Sequence, residues 1–160
     1  MLMREVLRGS DVPAIEEIVR TTGMFSAEEV AIAVELLVDG VTRGEASDYR
    51  FVVAEGSSGV VGYACYGSVP CTVGSWDLYW IAVKPGAQGG GIGRRLVSVV
   101  EARVAAAKGR LIFVDTSGRA DYAPTRAFYE ACGYAVACRV ADFYAPGDDK
   151  VVYVKAPTVT

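Results

Sequence analysis

Residues 84–95 read Lys-Pro-Gly-Ala-Gln-Gly-Gly-Gly-Ile-Gly-Arg-Arg, a glycine-rich loop between an apolar strand pattern (78–83) and an amphipathic helix pattern (92–108). Glycine lacks a Cβ, so such a chain can curl tightly and aim several backbone N–H groups at one point. At the first turn of a helix, orphan N–H groups and the positive dipole end coincide, and the curl becomes an anion site. The natural guest is a phosphate or pyrophosphate.

Two common phosphate loops fail here. Gly86 and Gly91 have Walker A spacing, but Ile92 and Gly93 stand where Lys and Ser/Thr are needed, which argues against an NTPase. A dinucleotide fingerprint needs Gly-x-Gly-x-x-Gly; counted from Gly91 the last position is Leu96, and counted from Gly89 it is Arg94. What fits is Gln-x-x-Gly-x-Gly, carried by Gln88, Gly89, Gly90, Gly91, Ile92 and Gly93, followed by Arg94, Arg95 and a helix.

That pattern resembles the acyl-CoA loop of the GNAT N-acetyltransferase superfamily, in which backbone amides bind the pyrophosphate of coenzyme A. The segment Trp76-Asp77-Leu78-Tyr79-Trp80-Ile81-Ala82-Val83 stands where that superfamily has its fourth strand. Downstream, Thr125-Arg126-Ala127-Phe128-Tyr129-Glu130-Ala131-Cys132-Gly133-Tyr134 is similar to its late helix, which carries Phe-Tyr-Glu and ends at Gly-aromatic. The resemblance implies an α/β (α+β) GNAT fold: a mixed central sheet of six to seven strands with about four helices packed on both faces. It implies acetyl-CoA as cosubstrate, with Gln88–Arg94 holding the pyrophosphate and the pantetheine arm running as a pseudo-strand along Ile81, Ala82 and Val83.

Acetyl transfer from a thioester to an amine poses two proton problems. A lysine-like amine (pKa ~10.4) must lose a proton before it attacks, and the thiolate that leaves gains by receiving one. A phenol with pKa ~10 is neutral at pH 7 and can donate. By the resemblance Tyr129 is this general acid; the plainer reading is a core tyrosine beside Phe128. Asp77 stands where some members carry the carboxylate that takes the amine's proton, and equally reads as an acidic strand-end residue. Strand alternation puts Asp77, Tyr79, Ile81 and Val83 on one face and Trp76, Leu78, Trp80 and Ala82 on the other. Tyr122 occupies a position where many members have a CoA-binding asparagine, so that contact does not transfer. With Pro124 just after it, the helix entry is altered; Tyr122 either stacks near the cofactor or lines the acceptor pocket, for which Tyr79 is also a candidate. Glu28 and Glu29 are further candidates for a cationic acceptor, although helix capping already explains them.

The chain has 160 residues, 52% of them hydrophobic and 22% charged, with a net charge of −3. This suits one domain (1–160) and does not imply a nucleic-acid surface. No stretch of about 18 apolar residues and no signal peptide is seen, so a cytoplasmic protein without membrane attachment is expected. There is no histidine, which removes Ser-His-Asp and Cys-His catalysis. The four cysteines lack metal-knuckle spacing and read as reduced thiols, with no metal site. A covalent route through Cys132 would need a base to form its thiolate. Direct attack on the thioester is favoured.

Around the loop, 3–7 reads as a strand and Ser10 as a helix cap, the helix ending at Gly23. Ser26 with Glu29 forms a capping box for a helix with the stripe Val30, Val34, Leu37, Val38 and Val41. Strands at 49–55 and 60–67 flank a hairpin turn at 56–59. The helix after the loop buries Ile92, Leu96, Val100 and Val104 and stops at Gly109. Strand 111–114 closes a βαβ unit and should be parallel to the strand before the loop. Strands at 134–143 and 150–154 end the fold, and residues from Pro157 are expected to fray. The lead reading is an acetyl-CoA-dependent N-acetyltransferase acting on a primary amine of a small molecule or peptide. The alternative is a catalytically inactive acyl-CoA sensor or interaction module. The resemblance allows a homodimer, which these residues do not decide.

Overall fold

The computed structural model describes residues 1–157; the frayed end expected after Pro157 lies outside them. Seven strands form one sheet in the order β1-β2-β3-β4-β5-β7-β6. They are β1 (Leu2–Arg4), β2 (Arg50–Gly56), β3 (Gly59–Ser68), β4 (Ser75–Val83), β5 (Leu111–Ser117), β6 (Ala135–Ala145) and β7 (Asp148–Lys155). The helices are α1 (Asp11–Thr21), α2 (Ala27–Arg43), α3 (Ile92–Ala106) and α4 (Ala123–Ala131). The sheet is mixed: β4 and β5 run parallel, as the βαβ reading required, while β1–β2, β2–β3, β5–β7 and β6–β7 are antiparallel. Among the described residues, no helix is long and apolar enough to cross a membrane.

Two compact units divide the chain. The first comprises Met1–Ser68 and Tyr79–Val100. Its core joins Ile15, Ile18 and Val19 of α1, Ala33 and Leu37 of α2, and Phe51, Val53, Tyr63, Cys65 and Ala82 of the strands. Gly56 pairs with Gly59, so Ser57-Ser58 is a two-residue hairpin tip. The capping box forms as expected: the Ser26 amide donates to Glu29 Oε2 (2.7 Å) and the Glu29 amide to Ser26 Oγ (3.2 Å).

In this unit one expectation fails and another holds only in part. Ser10 does not cap α1 through its side chain. Its neighbour Asp11 is buried instead and accepts from Arg4 Nη1 and Nη2, each at 2.9 Å, and from the Arg8 amide at 2.7 Å. Burial disfavours the Asp11 charge, but Arg4 and the Arg8 amide outweigh it and hold its pKa below the ordinary value. The buried face of α2 is Ala33, Leu37 and Gly40; of the expected stripe, Leu37 is buried and Val30 packs against the core, while Val38 and Val41 are exposed. Gly40 sets that rotation, because a Cβ there would lie within 2.2 Å of the Phe51 ring.

The second unit comprises Val69–Leu78 and the chain from Glu101 onward. The β4–β5 ladder is short, running from Ser75↔Leu111 to Asp77↔Phe113, although β4 continues to Val83 and β5 to Ser117. Helix α3 buries Ile92, Leu96, Val100 and Val104 as its spacing predicts. It ends earlier than expected, at Ala106: Lys108 takes the left-handed conformation (φ 58°) and the Gly109 amide bonds to Val104 O at 2.8 Å.

Candidate active site

In the first unit, β4 leads into the glycine loop. The Lys84 amide donates to Val61 O (2.8 Å) and the Ala87 amide to Lys84 O (2.9 Å), which turns the chain out of the strand. The Gln88 side-chain amide reaches back to Val83 O at 3.2 Å. Gly89 (φ 82°) and Gly91 (φ 76°) are left-handed, with nothing within 4 Å of where a Cβ would stand. Glycine adopts this conformation without a Cβ clash; of the two glycines the pattern requires, Gly91 takes it, while Gly93 lies in the first turn of α3. Gly90 and Gly91 are exposed, Gly93 is half-buried, and Ile92 anchors the first turn of α3 by being buried.

Helix α3 carries no acidic residue in its first turn, where acids are normally favoured, and Arg94 and Arg95 are both exposed there. Positive side chains beside a positive helix end are poorly placed until an anion binds between them. On β4 itself, Ala82 is buried while Ile81 and Val83 are half-buried. Tyr79 is 39% exposed, and its ring meets Tyr49 edge-on at 5.6 Å.

Asp77 and Tyr129 both belong to the second unit. Asp77 is half-buried at the end of the β4–β5 ladder. Burial raises its pKa first and the Asp115 charge raises it further, while Lys150 works in the opposite direction. Asp115 and Lys150 form an ion pair of 2.7 Å, and the Lys150 ammonium also lies 4.6 Å from the centre of the Phe143 ring. Asp115 and Lys150 were not singled out from sequence. An acid following Leu-Ile-Phe-Val in a strand was the available signal, but their meeting depends on the β5–β7 register, which pairs Ser117 with Lys150.

Tyr129 is buried near the end of α4. Its ring lies edge-on to Phe128 (5.2 Å) and Tyr134 (5.7 Å) and tilted to Tyr153 (6.3 Å). Burial first, and the nearby Tyr122 and Cys132 second, push its pKa upward, so the phenol holds its proton throughout the neutral range. The turn after it is fixed by Gly133 (φ 86°) and by the Tyr134 amide bonding to Tyr129 O at 3.0 Å. Tyr122 is the residue just before α4, with Pro124 in the first turn; the Arg119 guanidinium stacks 5.5 Å over its ring. Cys132, half-buried, is a free thiol like the other three cysteines. Among the described residues, no cluster of His, Cys, Asp and Glu is placed to hold a metal.

The model of the acetyltransferase (GNAT) domain family matches residues 47–136. A crystal structure of a GNAT-family protein from Desulfovibrio desulfuricans superposes with a TM-score of 0.95 at 41% identity, covering 98% of this chain and 99% of that one. The chain therefore belongs to the GNAT acetyltransferase family. More distant structures share the fold. An aminoglycoside 6'-N-acetyltransferase complexed with coenzyme A has a TM-score of 0.77 at 18% identity, covering 100% of this chain and 99% of its own. A ribosomal-protein-alanine N-acetyltransferase from Brucella melitensis has a TM-score of 0.75 at 21% identity, covering 98% and 99%. Among curated protein sequences, none matches the chain.

Proposed function

We propose that this acetyltransferase moves the acetyl group of acetyl-CoA onto a primary amine of a small molecule or peptide, by direct attack in a ternary complex, the whole chain acting as one transferase domain. The observation that carries the reading is the loop before α3. Gly89 and Gly91 are left-handed, and the first helical turn offers two exposed arginines and no acid. That combination suits a doubly charged pyrophosphate better than any neutral ligand. The amides from Gln88 to Arg94 hold it, and Ile81, Ala82 and Val83, beyond the end of the β4–β5 ladder at Asp77, hydrogen-bond to the pantetheine arm.

In the reaction, Asp77 takes a proton from the acceptor ammonium, directly or through water. The amine nitrogen then bonds to the thioester carbonyl carbon, the C–S bond breaks, and the thiolate receives the Tyr129 proton. The second proton, shed by the new amide nitrogen, returns through solvent to the Tyr129 phenolate. A raised carboxylate pKa suits the first step and a protonated phenol the last. Tyr79 and Tyr122 are assigned to the acceptor side. Four free cysteines fit a reducing compartment such as the cytoplasm.

The test is a screen of amines with acetyl-CoA, following thiol release, alongside thermal unfolding with and without CoA. Tyr129→Phe should lower turnover about 100-fold while CoA still stabilises the protein. A protein that CoA fails to stabilise would overturn the reading. Stabilisation without turnover on any amine would leave a CoA-binding sensor.

A further inference from the structure

Glu101 and Lys155 form an ion pair that the proposed reaction leaves unused. Glu101 stands on α3 and is only 8% exposed, and Lys155 is the last residue of β7. The Lys155 ammonium donates to Glu101 Oε1 at 2.8 Å and to Oε2 at 2.9 Å. A buried carboxylate stripped of its partner is costly, so each side chain holds the other in place. A further Lys155 bond goes elsewhere: Nζ donates to Cys132 O at 2.7 Å. Cys132 is the residue at which α4 ends, where a cation also suits the negative end of the helix.

Helix α4 has nine residues, and Tyr122 at its start makes no side-chain cap. So short a helix is marginal by itself, and its place must come from tertiary contacts. Strand β7 supplies two of them from one face. Tyr153 OH donates to Glu130 Oε1 at 2.9 Å, and two residues further on Lys155 takes Cys132 O. Tyr129 directly precedes these anchors. Its carbonyl accepts the Cys132 and Tyr134 amides, both at 3.0 Å, so the turn that Lys155 grips closes on Tyr129 itself. A second route runs through the rings. The Lys155 ammonium stands 5.5 Å from the centre of the Tyr134 ring, which meets the Tyr129 ring edge-on at 5.7 Å.

We propose that Lys155, braced by Glu101, is a positioning residue for the Tyr129 phenol, an inference that rests on Tyr129 being the proton donor of the reaction. A phenol that must reach a departing sulfur has to stand within hydrogen-bond range of it, and a misplacement of about 1 Å can cost roughly 100-fold in rate. The rings around Tyr129 bury it, but apolar packing has no direction of its own. Directed bonds from one ammonium to Glu101 and Cys132 O fix the backbone that carries the phenol. Lys155 acts through Cys132 O and the Tyr134 ring and carries no proton in the reaction.

The experiment compares the native protein with Lys155→Met/Glu101→Gln, which removes the brace without leaving a buried charge, and with Lys155→Arg, Tyr129→Phe and the triple variant. Circular dichroism checks that each is folded, and thiol release from acetyl-CoA is followed with the best amine of the screen. Lys155→Met/Glu101→Gln should lower kcat about 10-fold while KM for acetyl-CoA stays within about twofold, and Lys155→Arg should keep most of the turnover. In the Tyr129→Phe background the same two changes should cost less than about twofold, because the phenol they position is gone. Equal losses in both backgrounds, the mark of a merely structural role, would overturn the proposal, as would native turnover without the brace. A Tyr129→Phe protein of native activity would instead sink the reaction scheme beneath it. Should no amine react, fluorotyrosine labelling decides. The fluorine resonance absent from Tyr129→Phe should shift when CoA is added, and that shift should fall at least ~2-fold in folded Lys155→Met/Glu101→Gln. A shift equal in both proteins, or absent from the native one, would overturn the proposal.

Discussion

The Lys150 ammonium lies 2.7 Å from the Asp115 carboxylate, and the two act in opposite directions on Asp77. Asp77 owes its raised pKa first to burial and then to Asp115, while Lys150 restrains it. Asp115→Asn should therefore shift the acid limb of the kcat/KM profile to lower pH, because Asp77 then ionises more easily. Lys150→Met should shift it to higher pH. Opposite shifts in two variants that leave Asp77 in place are a signature that simple damage to the sheet would not produce. Limbs that stay put in both would remove Asp77 from the role of base.

The proposed base Asp77 also bears on stability. Because its folded pKa is raised, the native state holds that proton more tightly than the unfolded chain does. The stabilising contribution is complete below the ordinary carboxylate value of 3.8 and is lost as pH rises through the folded value. At neutral pH, a half-buried ionised Asp77 weighs against folding. Asp77→Asn should accordingly unfold at a higher temperature than the native protein at pH 7, with the difference shrinking toward pH 3. Its turnover should drop by about 100-fold. Equal melting temperatures at pH 7 would show that the site does not penalise the charge.

The glycine loop makes a paired prediction. Gly91 is left-handed, so Gly91→Ala carries a backbone penalty of about 1–2 kcal/mol. Gly90 has no such conformation, and a Cβ there would meet Ala87 O at an ordinary 3.8 Å. Urea denaturation without ligand should show the loss in Gly91→Ala and little in Gly90→Ala. The stabilisation that CoA confers should shrink for Gly91→Ala, since the amides it reorients are those assigned to the pyrophosphate.

The loop and its helix were legible because their signals are local. A run of glycines allows the tight curl in which Gly89 and Gly91 are left-handed, and Ile92, Leu96, Val100 and Val104 keep one helical face. The Ser26 capping box and the Ser57-Ser58 hairpin are local in the same way. What escaped the sequence depends on distant partners. Asp11 turns to Arg4 of β1 rather than leaving Ser10 to cap α1. Lys150 and Asp115 meet beside Asp77 only through the β5–β7 register. The strand at 134–143 is legible, but its place at the edge of the sheet is set by strand order.

Helix α2 gives the sharpest test of such a distant contact. Hydrophobic spacing favours a face through Val30, Val34, Leu37, Val38 and Val41; Leu37 is buried as expected, but Val38 and Val41 are exposed and Gly40 is buried. Glycine is the weakest helix former after proline, so its place in the middle of a helix needs a packing reason. The Phe51 ring supplies one, since a Cβ at Gly40 would stand 2.2 Å from its Cε2 and 2.9 Å from its Cζ. Phe51 is only 5% exposed and has little room to retreat. On helix propensity alone, Gly40→Ala would stabilise by about 1 kcal/mol. Overpacking against a buried ring costs about 1–3 kcal/mol and should prevail. Urea denaturation should therefore show Gly40→Ala less stable than the native chain. Phe51→Leu in the same background should recover part of the loss by removing the obstructing ring atoms. A Gly40→Ala protein more stable than the native one would mean that α2 can slide away from β2, and that the close approach is not what fixes its rotation.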